Sequence, residues 1–89
     1  MFLLNNQNPH FIVSMYVSLA FIKLSNYAQS IETLLKIDNS YNDFIYIKHF
    51  LLGYCYHILD LYEQAEKEYK IVIDLKPSYE HVYYNLAAL

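Results

Sequence analysis

The sequence predicts an all-α fold built from antiparallel helix pairs, and three observations carry that expectation. Apolar residues recur at intervals of three and four along most of the chain, the period of one face of an α-helix. Two short turns, Ser25-Asn26 and Asp60-Leu61, interrupt that pattern in the middle of two otherwise similar stretches. Shifting the chain by 35 residues lays the first stretch over the second: Ser18 falls on Gly53, Phe21 on Tyr56, Leu24 on Leu59, Tyr27 on Tyr62, Gln29 on Gln64, Ser30 on Ala65, Leu34 on Tyr69 and Ile37 on Val72. Small residues stay small and bulky ones stay bulky, as two helices that cross closely require.

Met1 to Asn8 reads as a frayed tail or the end of a preceding element, an apolar start followed by an Asn/Gln run. Asn8-Pro9 then starts a helix, because Asn accepts hydrogen bonds from free backbone N–H groups and Pro fits the first helical position. The helix is expected from Pro9 to Leu24. It is apolar nearly all round between Phe11 and Ile22, but that run is shorter than the about 20 residues of a membrane span. No positive charge precedes it as a signal peptide demands. A buried helix is the expectation. Asn26 and Gln29 have the spacing of a capping box, ahead of a helix from Tyr27 to Ile37. The segment Asp38 to Asp43 is polar and turn-forming, with Asn42 where the second stretch has Pro77. Helices from Phe44 to Leu59 and from Tyr62 to Lys76 follow. Ser78 is placed to cap a last helix from Tyr79 onward, with Glu80 in its first turn.

The second stretch carries a recognisable order: Leu52, Gly53, Tyr56, Tyr62, Ala65, Tyr69, Val72 and Pro77, preceded by His49. It resembles the tetratricopeptide repeat, which sets a large residue, Leu-Gly, Tyr, Ala, an aromatic and Pro at fixed intervals over about 34 residues. The chain departs from the family pattern at His49, where a large aromatic is usual, and at Val72, where Ala is usual. The resemblance implies helix pairs stacked into a short right-handed solenoid. It divides the chain into a tail (1–10), a degenerate repeat (11–45), a repeat (46–79) and the first helix of a third (80–89), in which Tyr83 answers to His49, Leu86 to Leu52 and Ala87 to Gly53. A longer repeat array, or a chain that stacks on a partner, is the expected setting. Repeat packing falls to the nine residues from His49 to Pro77 named above, with Gly53 expected against Ala65.

The resemblance further implies a protein-binding scaffold, whose concave groove is lined by a second stripe on the first helix of each pair. In this sequence the stripe is Ile12, Met15, Leu19 and Ile22, then Ile47, Phe50, Tyr54 and His57, then His81 and Tyr84. It carries no Lys, Arg or Asn, so the expected ligand is a helix or apolar peptide of another protein and not an acidic C-terminal tail. A repeat segment of a larger enzyme, of glycosyltransferase or prolyl isomerase type, and a structural segment of a large assembly stay open beside it.

Composition agrees with an interaction protein. Hydrophobic residues make up 56% of the 89 residues and charged ones 17%, which excludes a disordered chain. The net charge is −3 and the six Lys and Arg are scattered, so a nucleic-acid partner has no electrostatic footprint, eleven tyrosines notwithstanding. Cys55, the lone cysteine, points to a reducing, intracellular and cytoplasmic setting. His49 and His57 lie too far apart on one helix to share a metal ion. Cys55 and His57, two residues apart, diverge and cannot act as a nucleophile and its base. No catalytic motif and no cofactor site is expected. Glu63, Glu66, Lys67, Glu68 and Lys70 read as a solvated face strengthened by i, i+4 pairs.

Overall fold

The computed structural model describes residues 9–39 and 43–89, and among them every regular element is an α-helix. The helices are α1 (Pro9–Lys23), α2 (Tyr27–Leu35), α3 (Ile45–Ile58), α4 (Tyr62–Leu75) and α5 (Glu80–Ala87). Each packs against the next in order. The observed bounds fall within two residues of those expected, because the three-and-four spacing that defines a buried face ends where the helix ends. Residues 1–8 and 40–42, and with them Asn8, Asn42 and half of the Asp38–Asp43 turn, lie outside the described residues.

Both hairpins turn in the same way. In the first, Ser25 adopts a left-handed φ of 62°, its N–H bonds to the Ile22 carbonyl at 2.9 Å, and the N–H of Asn26 reaches the Phe21 carbonyl at 2.7 Å. In the second, Asp60 has φ 63°, its N–H bonds to the His57 carbonyl at 3.0 Å, and Leu61 reaches the Tyr56 carbonyl at 2.8 Å. This pair of bonds is the Schellman closure of a helix, made here twice without glycine. Every partner lies 35 residues from its counterpart. The closure also removes the expected capping box: the Asn26 N–H is already bonded to Phe21, so Gln29 has nothing to reach back to, and Asn26 makes no side-chain cap. At α5 the expected cap moves by one residue. Tyr79, in extended backbone, takes the N-cap position in place of Ser78, and no side chain caps the helix.

Two apolar clusters hold the layers together. Phe11, Met15, Leu34, Ile37, Leu51 and Leu52 join α1, α2 and α3. Ala65, Tyr69, Val72 and Val82 join α4 and α5, and Phe50 and Tyr56 of α3 pack against both clusters. The first hairpin crosses through two serines. Ser18 and Ser30 are both fully buried, and the Ser30 hydroxyl donates to the Ser18 carbonyl at 3.0 Å.

The second hairpin crosses at Gly53, where the expected neighbour was Ala65. The atoms nearest to a Cβ built there belong instead to the Tyr69 ring, at 2.4 and 2.6 Å. The ring is fully buried and occupies the space that a side chain at position 53 would fill.

α1 departs from the buried helix the sequence predicts. Phe11, Met15 and Ser18 face inward, whereas Val13, Tyr16, Val17, Leu19 and Ala20 are exposed. The packing of α2 and α3 reaches one side of an evenly apolar helix and leaves the other in water. Among the described residues no helix is long and apolar enough to cross a membrane.

Candidate binding groove

Between α1 and α3 runs an open groove of about 240 Å³, lined by Phe11, Ile12, Met15, Tyr16, Leu19, Phe44 and Ile47. Its walls follow from the register, since Ile12 and Ile47 are 35 residues apart and occupy the same turn of neighbouring parallel positions in the two hairpins. No ionisable side chain other than the Tyr16 phenol contributes to the lining.

Four of the ten stripe residues expected to line a groove, Ile12, Met15, Leu19 and Ile47, meet here. Met15 also reaches into the first core cluster, and Ile22 packs half-buried against it. The remainder of the stripe is interrupted by aromatic neighbours. Tyr79, from the turn between α4 and α5, folds over α3: its ring lies 5.1 Å from Phe50 and 5.3 Å from Tyr46, both edge to face. Phe50 also meets Tyr69, whose ring is tilted at 5.9 Å. Tyr54 meets Tyr27 of α2 at 6.4 Å, and His57 meets Tyr62 at 5.9 Å. His81 is exposed with its ring 5.4 Å from Tyr79, and Tyr84 is the most exposed large hydrophobic among the described residues, at 76%. Four of the stripe residues thus line the groove, and Phe50 at the stripe's centre packs among aromatic neighbours. A sequence signal for that cluster existed: the register sets Tyr46 on Phe11, a packing position in both hairpins.

Among the repeat-packing residues, Leu52, Gly53, Ala65, Tyr69 and Val72 are buried and Tyr56 is half-buried. Tyr62 and Pro77 are exposed instead. The Tyr62 hydroxyl donates to the Asp60 carboxylate at 2.8 Å, and the Pro77 carbonyl accepts from the Tyr83 hydroxyl at 2.7 Å, so both tie down turns. His49 does more than pack. Its Nδ1 lies 2.7 Å from Oε1 of Glu68, which takes Glu68 out of the solvated face and makes a half-buried link between α3 and α4. Glu66 and Lys70 form the exposed i, i+4 pair at 3.4 Å.

Three polar groups with chemical potential are engaged in structure. Lys48, which the sequence reading passed over, is buried and its Nζ donates to the Ile37 carbonyl at 2.8 Å and to Asn39 Oδ1 at 2.6 Å, closing the end of α2. Burial lowers the pKa of its ammonium, and the charges of Glu68 and Asp38 oppose that shift. Burial also pushes the Cys55 thiol up, against a side-chain hydrogen bond with Ser30, which disfavours the thiolate a nucleophile needs. Asp60, three residues from His57, is held by Tyr62. Among the described residues no group of three or more His, Cys, Asp or Glu is placed to hold a metal ion. A second cleft, lined by Tyr62, Glu63, Glu66, Leu86 and Leu89, is larger at about 370 Å³ but carries two acids.

Comparison of the chain with protein-family models, curated proteins and solved structures returns no match.

Proposed function

We propose that the chain is a protein–protein interaction module of the tetratricopeptide type, which holds an apolar helix or peptide of a partner in the groove between α1 and α3. The observation that carries this reading is the groove itself, apolar along its lining but for the Tyr16 hydroxyl and with Tyr16 and Leu19 exposed in its wall. At about 240 Å³ it falls below the 300 to 1,000 Å³ typical of small-molecule sites. It suits one or two side chains projecting from a protein ligand, in the helix-in-groove manner. The twice-made turn supports stacked helix pairs of one repeat type, in a right-handed order, with units at 11–45 and 46–79 and a third beginning at 80. Binding in place of catalysis accords with the engagement of Lys48, Cys55 and Asp60 in structural bonds, and the reading calls for no cofactor.

Selection from a helical peptide library tests it. Peptides with large apolar residues spaced by three and four are expected to emerge, to lose at least tenfold in affinity on Leu19→Glu or Ile47→Glu, and to outbind an acidic C-terminal peptide. Selected peptides indifferent to both substitutions, or a preference for the acidic tail, would overturn the reading.

A further inference from the structure

Ile47, in the groove wall, and Phe50 lie three residues apart on α3, and residues at that spacing are neighbours on one face of a helix. At Ile47 the groove is open. One turn on, the same face is covered by the ring of Tyr79, which stands edge to face with Phe50 and with Tyr46. All three rings are half-buried, whereas Tyr69, which Phe50 also meets, is fully buried. The cluster therefore reaches the surface beside the groove. Other contacts hold α5 in place: Val82 is fully buried with Ala65, Tyr69 and Val72, and Asn85 donates to the Tyr69 hydroxyl at 3.3 Å. The turn before α5 has bonds of its own, from the Tyr79 N–H to the Lys76 carbonyl at 3.0 Å and from the Tyr83 hydroxyl to the Pro77 carbonyl at 2.7 Å.

We propose that Tyr79 is an intramolecular plug on the binding groove, displaced by a partner helix that brings an aromatic residue of its own. The proposal rests on the groove being the partner's site, and it names a feature of the partner. A helix seated at Ile47 that carries Phe, Tyr or Trp one turn further on sets that ring over Phe50 and Tyr46, where Tyr79 now lies. Edge-to-face packing depends on ring geometry and not on which chain supplies the ring, so the seat that takes Tyr79 takes the partner's residue. The Tyr79 ring swings out while α5 and its turn stay. A partner without the aromatic residue leaves the plug where it is and binds at the groove alone. Because the seat is filled in the free chain, the aromatic partner binds with an affinity reduced by the fraction of molecules that are closed. Tyr79 thus sets both the strength and the selectivity of the site.

The test uses two synthetic helical peptides with leucines spaced by three and four, identical but for a Phe or an Ala three residues beyond the last leucine. Each is titrated calorimetrically into the full chain, into Tyr79→Phe and into Tyr79→Ala, well below their thermal midpoints. The Phe peptide should bind Tyr79→Ala about 3- to 10-fold more tightly than the parent, the worth of one freed aromatic contact. The Ala peptide should bind both alike, and Tyr79→Phe should behave as the parent. In the unaltered chain, NMR should show the Tyr79 ring protons shifting on saturation with the Phe peptide and not with the Ala peptide, a readout that needs no variant to fold. If Tyr79 serves only to pack α5, Tyr79→Ala lowers the thermal midpoint and leaves the Phe peptide unchanged or weaker; that result overturns the proposal, as do ring protons unmoved at saturation. When the Ala peptide binds and is weakened by Ile47→Glu, such a result removes the plug and leaves the groove reading intact. Failure of both peptides to bind, or binding indifferent to Ile47→Glu, overturns the groove reading and the plug with it.

Discussion

The two hairpins share one turn and differ in how their helices cross. In the first, Ser18 and Ser30 meet through a hydroxyl–carbonyl bond, with Leu34 one turn beyond. In the second, the counterpart of Ser18 is Gly53 and the counterpart of Leu34 is Tyr69, whose ring fills the space the missing side chain leaves. A fixed backbone geometry thus tolerates two fillings, small-polar with medium or none with large, so long as the pair is exchanged together. The difference also bears on function. Tyr69 backs Phe50, and Tyr79 closes over Phe50, so the second hairpin spends its aromatic face internally. The first, with smaller residues, leaves Leu19 and Tyr16 exposed at the groove.

The largest effect should come from filling the glycine. Gly53→Leu drives a branched side chain into a buried ring already 2.4 Å from an ideal Cβ, and overpacking of this kind costs about 1 to 3 kcal/mol, occasionally more. Urea melts should show it directly, whereas Ser18→Leu would test whether the first crossing is as tight. Next comes the link between α3 and α4. Glu68→Ala leaves the buried His49 Nδ1 without its partner, and the loss should be about 1 to 3 kcal/mol, the range for an unsatisfied buried polar group. Stability unchanged in this variant would return Glu68 to the solvated face. Ser30→Ala removes a neutral bond from the first crossing and should cost about 1 kcal/mol; a cost equal to that of Gly53→Leu would erase the contrast between the crossings.

The smallest effect has the opposite sign. Ser25 stands at φ 62°, where a non-glycine residue carries about 1 to 2 kcal/mol of strain, offset in part by the added freedom of glycine in the unfolded chain. Ser25→Gly should raise the thermal midpoint by a few degrees. Asp60→Gly should gain less, because Asp tolerates the left-handed region better and this one would lose the bond from Tyr62. A larger gain at Asp60 would show that the Tyr62 bond does not stabilise the second turn.

Helix positions and the 35-residue register were legible because each rests on side-chain spacing, which the sequence displays outright. The turn closure was not. Ser25 and Asp60 replace the glycine that normally marks it, and Asn26 with Gln29 offered a rival pattern that failed only because the Asn26 N–H was already bonded. His49 read as packing since one residue gives no hint of a partner 19 positions on, and Glu68 read as solvated for the same reason. Four of the ten stripe residues line the groove that their spacing suggested. What covers Phe50 is Tyr79, a turn residue whose ring direction depends on how α5 leaves α4, and periodicity carries no information about that. The exposed side of α1 was hidden by its even apolarity, which does not distinguish the face that finds a neighbour.

The claim that the hairpins are one unit with two fillings is tested most directly by a double-mutant cycle at the second crossing. Gly53→Ala, Tyr69→Leu and the double variant would be compared with the parent by chemical denaturation. If residues 53 and 69 share one space, Tyr69→Leu removes the ring that Gly53→Ala strikes. The double variant should then be less destabilised than the sum of the single ones, with a coupling of about 0.5 to 3 kcal/mol. Additive losses would show that the alanine methyl never met the ring, and would contradict the account.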